Sequence, residues 1–159
     1  MNLKSLALTG LVAAMFAFPA RAVEPDAFAD ALSGMFARSE FMVSFDSATA
    51  SGGDIILSGL QAGPTGARQK RIDVAISFQN VGETEDGGFT ADRAVIDRFD
   101  FEEEGVRVRL DGLVWENVLF YERPPANVLD QVFRPSRFFT GPLRVFVDGQ
   151  LVFRMARLE

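Results

Sequence analysis

The chain of 159 residues contains no cysteine and no histidine, and only one tryptophan and one tyrosine. Without thiol or imidazole there is no Ser-His-Asp or Cys-His nucleophile system, no His/Cys zinc site and no disulfide framework. Long apolar runs are scarce too. The longest uncharged one, Ser5–Phe18, falls short of the roughly 20 residues that a helix needs to span a bilayer. Cations are in the minority, 16 Lys and Arg against 22 Asp and Glu, and the largest local basic group is Arg68, Lys70 and Arg71. Phosphate backbones and anionic membranes demand clustered cations, so this balance argues against nucleic acid as a partner.

What is present begins with a targeting signal. Met1 to Lys4 make a short positive region, the apolar run follows, and Pro19 precedes the A-x-A pattern of Ala20 and Ala22. Residues 1–22 therefore read as a signal peptide cleaved after Ala22. Cleavage removes Lys4 and Arg21 and no acid, which moves the net charge from −6 to −8. The expected location is the periplasm. In that oxidising compartment a chain without cysteine must rely on packing and sheet hydrogen bonds. Residues 23–159 are long enough to bury one core as a single β-rich domain.

One helix and then strands are expected. Pro25 suits the first helical position and Asp26 the positive end of the helix dipole. Phe28, Ala31, Leu32, Met35 and Phe36 repeat at i, i+3, i+4, i+7 and i+8, so an amphipathic helix is predicted over 25–38. From Phe41 the period becomes two: Phe41, Val43 and Phe45 alternate with Met42 and Ser44. Gly52-Gly53-Asp54 signals a hairpin, and Ile72, Val74, Ile76 and Phe78 form one face of a clear strand. Over 89–101 two registers compete, with Ala94 and Ile96 inward or Val95 and Phe99 inward, and a bulge would reconcile them. Val106, Val108 and Leu110 alternate with Arg107, Arg109 and Asp111, and Leu113 to Tyr121 is apolar on both faces apart from Glu116 and Asn117. A short second helix is predicted over 126–133, and Asp148-Gly149 marks a type I′ hairpin. The predicted fold is mainly β, an antiparallel, twisted, open meander sheet with one N-terminal helix.

Three segments share the pattern of glycine, alternating strand, polar residue and glycine: Gly53–Leu60, Gly105–Leu113 and Gly141–Gly149. Their unequal spacing excludes a strict solenoid repeat. The strand-like end at Leu151–Glu159 has two readings, an exposed edge that takes a partner strand or self-associates, or the front part of a longer repetitive protein.

Chemistry is limited to acids. The stretches Glu83–Gly87 and Glu102–Gly105 lack the spacing of a calcium loop, so no metal and no cofactor are expected. Glu116, beside Trp115 in an apolar run, is the one acid whose neighbours point to burial, and it is the candidate for a carboxylate-dependent hydrolase. Phenylalanine is the abundant resource, 16 in all, with Phe16 and Phe18 lost with the signal peptide. An apolar groove lined by Phe120, Phe133, Phe138, Phe139 and Phe153 is expected to hold a lipid or another hydrophobic ligand. The function expected first is that of a non-catalytic envelope protein, and the hydrolase is the alternative.

The strand Phe45-Asp46-Ser47-Ala48, the strand Gly53–Leu60 and the segment Gln79–Thr90, placed after a signal peptide and a helix, resemble uncharacterised exported β-rich proteins of alphaproteobacteria. More distantly the pattern is similar to the AsmA-like and LptC-like β-sheet proteins of the Gram-negative envelope. The resemblance implies an elongated sheet that cradles lipid, and it implies no catalytic residues.

Overall fold

Strands dominate the computed structural model, which describes residues 22–38, 40–123 and 133–158. After helix α1 (Pro25–Ala37) come β1 (Phe41–Ser51), β2 (Asp54–Pro64), β3 (Lys70–Gln79), the short β4 (Gly82–Glu83), β5 (Phe89–Glu103) and β6 (Val106–Phe120). β7 (Phe133–Arg134), β8 (Arg137–Thr140), β9 (Leu143–Val147) and β10 (Gln150–Met155) follow. They form one antiparallel sheet in the order β1-β2-β3-β5-β6-β9-β10, with β4 added to β5 and β7 and β8 added to β6. The sheet is open, as expected. Of the helix predicted over 126–133, residues 126–132 lie outside the described residues and Phe133 opens β7. Most of the predicted signal peptide, residues 1–21, also lies outside them.

α1 has weak local support. Pro25 starts it and Asp26 sits in its first turn, but Glu24 makes no side-chain cap and the last turn holds no cation. A 13-residue helix is marginal in water, and Gly34 within it costs about 1 kcal/mol relative to alanine. Tertiary packing holds it. Phe28, Leu32 and Met35 form its buried stripe, and Phe28 is fully buried. The Phe28 ring meets Phe78, Phe89 and Phe120 edge-on at 5.0, 5.2 and 6.0 Å. Such edge-to-face pairs contribute beyond the area they bury.

The strands are long, and their inward phase is reset where one residue takes a left-handed backbone. Gly59 (φ 68°) faces Asp46, Asn117 (φ 48°) faces Asp92, and Gly112 (φ 83°) faces Asp97. The β1–β2 and β5–β6 registers are the same on both sides of each crease, although β2 shifts by one residue against β3 at Gly59, yet the inward side chains change parity on both strands of each pair. In β5 the buried pair Phe89 and Ala91 is followed by Ala94 and Ile96, then by half-buried Phe99 and Phe101. In β2, Ile55 and Leu57 give way to Leu60 and Ala62. The two registers that compete for residues 89–101 are thereby resolved: Ala94, Ile96 and Phe99 all face inward, and Val95 faces out. Two of the three sequence repeats close on crease glycines, Gly59 and Gly112, whereas Gly149 (φ 78°) sits in the Asp148-Gly149 hairpin turn.

β7, β8 and β9 lie along β6 in one continuous register, broken level with the creases of β6. Ser136 N–H donates to the Glu116 carbonyl at 2.9 Å, and Gly141 N–H donates to that of Gly112 at 2.8 Å. Gly141 is held so close to β6 that a Cβ there would lie 1.5 Å from the Asp111 carbonyl oxygen. The Gly141→Ala substitution forces β6 and its neighbour apart, and a loss of roughly 2–4 kcal/mol is expected by denaturant titration. Phe28→Ala leaves a hole between helix and sheet and is expected to cost roughly 3–5 kcal/mol. The helical circular dichroism signal should then be lost before the sheet signal on titration.

Candidate functional site

The creases keep one face of the sheet apolar from end to end, and α1 covers only part of it. Between α1 and this inner face lies a cavity of about 220 Å³. Leu32 and Phe36 of the helix roof it, and Phe41, Val43 and Phe45 of β1 with Leu60 and Ala62 of β2 form one wall. Ile76, Phe78 and Ala94 form the floor, and Trp115, Val118, Phe120 and Phe133 close the far side. The floor sits where the β3–β5 ladder ends, since those strands pair only at Ser77–Gln79 with Arg93–Val95. Every lining residue is apolar or aromatic. The space exceeds the roughly 150 Å³ of a dry engineered cavity that takes up benzene, and it is below the range of about 300–1,000 Å³ for drug-sized ligands.

The five phenylalanines expected to share a groove are divided by the sheet. Phe120 and Phe133 line the cavity, with ring centroids 6.1 Å apart. Phe138 lies just beyond it, on the inner face against Trp115 at 6.2 Å. Phe139 points to the outer face, into a separate depression with Val114 and Glu116. Phe153 is on β10 and half exposed. The residues that complete the cavity come from elements with readable patterns, the α1 stripe and the Phe41, Val43 and Phe45 alternation. Which strands the helix would cover is a tertiary fact that no pattern carried.

The outer face is charged. Asp100 accepts two hydrogen bonds from Arg107, Nε at 2.7 Å and Nη2 at 2.6 Å, and two from Arg109 at 3.1 and 3.0 Å. The Arg107 hydrogen bonds, helped by Arg109, hold the Asp100 carboxyl at about 2. Asp111 accepts from Arg144 at 2.5 Å and from Arg98 at 3.4 Å, and its carboxyl is lowered chiefly by Arg144. Glu116 stands in register between Arg93 of β5 and Arg137 of β8. The other acid lining its depression is the ion-paired Asp111. Among the described residues no three carboxylates converge as a metal site, and no helix is long and apolar enough to cross a membrane. No family model, curated protein or solved structure matches the chain.

The lowered Asp100 carboxyl makes a signed prediction. Its contribution is complete above the ordinary carboxyl value of 3.8 and is lost as pH falls toward about 2. Stability should therefore drop more steeply across that window in the wild type than in Asp100→Asn, with the two converging at its acid end. Chemical denaturation at stepped pH reads this difference directly.

Proposed function

We propose that this is a non-catalytic exported protein of the cell envelope that holds a hydrophobic ligand, such as the acyl chain of a lipid, between α1 and the inner face of its sheet. The observation that carries this reading is the cavity of about 220 Å³ without a polar lining residue. Hydrocarbon transferred from water into such a space gains free energy without leaving any protein donor or acceptor unsatisfied. The signal-peptide pattern of residues 1–22 supports a periplasmic location. The turn and strand signatures at Phe45–Ala48, Gly53–Leu60 and Gln79–Thr90 support kinship with exported β-rich proteins. Glu116, the acid that a carboxylate hydrolase would use, opens onto the outer face and not into the cavity.

Native mass spectrometry of the protein isolated from the periplasm, followed by solvent extraction, tests the reading. A lipid-sized adduct is expected, and it should disappear in Ala62→Phe, which fills the cavity from β2 while the fold is retained. A wild-type protein that is free of adduct and takes up no fatty acid when offered one would overturn the proposal.

A further inference from the structure

The two edges of the sheet are built differently. β1 buries Val43, turns Phe45 to the cavity under the helix and carries Asp46 at mid-strand; its exposed large apolar side chains, Phe41 and Met42 at 41 and 40%, sit at one end. β10 is exposed along its middle. Leu151, Val152 and Phe153 are 51, 59 and 50% exposed at successive positions, so large apolar side chains stand out on both faces of the strand. Among the described residues β10 pairs along one side only, with β9. From Gln150 to Met155 there is no lysine, proline or acid of the kind that discourages edge pairing. The register shift between Leu151 and Phe153 turns out a valine rather than a charge.

A free row of N–H and C=O groups accepts one chemistry, an extended backbone. We propose that β10 pairs antiparallel with β10 of a second copy of this chain, about a two-fold axis at Val152. This goes beyond the ligand reading and does not depend on it. Antiparallel pairing about a two-fold axis is self-complementary in its hydrogen bonds. With the axis at Val152, Arg154 faces Gln150, so no like charges oppose. The register shift leaves Phe153 on the inner face beside Val145 and Leu151 on the outer face beside Phe146, so the two copies bring Phe153 towards Phe153 on one face and Leu151 towards Leu151 on the other. Diagonal cross-strand neighbours of this kind are within reach of aromatic and long side chains. The head-to-tail alternative, β10 on the β1 edge of the next copy, would grow an open filament. Val108, Val145 and Phe153 occupy successive positions across β6, β9 and β10. The pairing therefore carries the apolar inner face from one copy into the next.

A six-residue edge is a small interface, so the dimer should dissociate on dilution. Sedimentation of the isolated full-length protein over a concentration series is expected to give a monomer–dimer equilibrium. Phe153→Lys and Val152→Pro should weaken it at least about tenfold with the circular dichroism of the monomer unchanged. Ile56→Lys, an equivalent change at a 37% exposed position on β2, should leave it unaltered. In a chain without cysteine, Val152→Cys places one thiol from each copy at the axis and should yield a disulfide-linked dimer under mild oxidation. A monomer at every concentration, a dimer indifferent to Phe153→Lys, equal weakening by Ile56→Lys, or no cross-link through Cys at 152 would each overturn the proposal.

Discussion

The second layer of this protein depends on how one phenylalanine docks. α1 lacks a side-chain cap, a cation in its last turn and the length to persist alone, so its existence is a consequence of burying Phe28 among Phe78, Phe89 and Phe120. Those three rings come from β3, β5 and β6, so the helix can dock only once the middle of the sheet has formed. Docking in turn places Leu32 and Phe36 over the sheet and so creates the cavity. The space is what remains when a rigid helix, fixed at one end by an aromatic cluster, spans the inner face over residues that do not rise to meet it, such as Ala62 and Ala94.

The creases explain which parts of the fold were legible in the sequence. Where a strand runs without a left-handed residue, as in β3, alternation gives the faces directly: Val74 and Phe78 are buried and Asp73 and Ala75 are exposed. Residues 89–101 contain two resets of parity, and a period-two reading of that stretch has to choose between phases that are both real. The information needed to choose sits on the partner strand, at Asn117 and Gly112 of β6. Gly59 and Gly112 stand out as the closing residues of a repeated pattern, but a turn is the ordinary meaning of such a glycine. Asn117 carries even less signal, as one polar residue in an apolar run.

For the site, legibility ends where elements meet. Of the residues that line the apolar cavity, Phe120 and Phe133 follow from the supply of phenylalanine. Phe138 and Phe139 are neighbours in a strand and so point to opposite faces, and the structure separates them accordingly. The missing lining residues were recognisable as apolar positions on α1, β1 and β2. Their convergence depends on the packing of the helix, which no local pattern encodes.

The half of the sheet beyond the helix raises the remaining energetic question. Its outer face holds the forks of Asp100 and Asp111, but ion pairs whose side chains stay a quarter to two-thirds exposed contribute little net stability. The inner face there carries Phe99, Phe101, Val108, Leu110 and Val145, all only half-buried because no described element lies over them. Apolar area left in water is stabilisation not yet realised, at about 25 cal/mol per Å². A ligand that covers this surface in the folded state stabilises it by mass action, as a chain of hydrocarbon continuing from the cavity would. Edge pairing at β10 would extend this face into the next copy and would not cover it. The described residues, a single-layer sheet and one small helix, would thus gain stability from any ligand that covers this face.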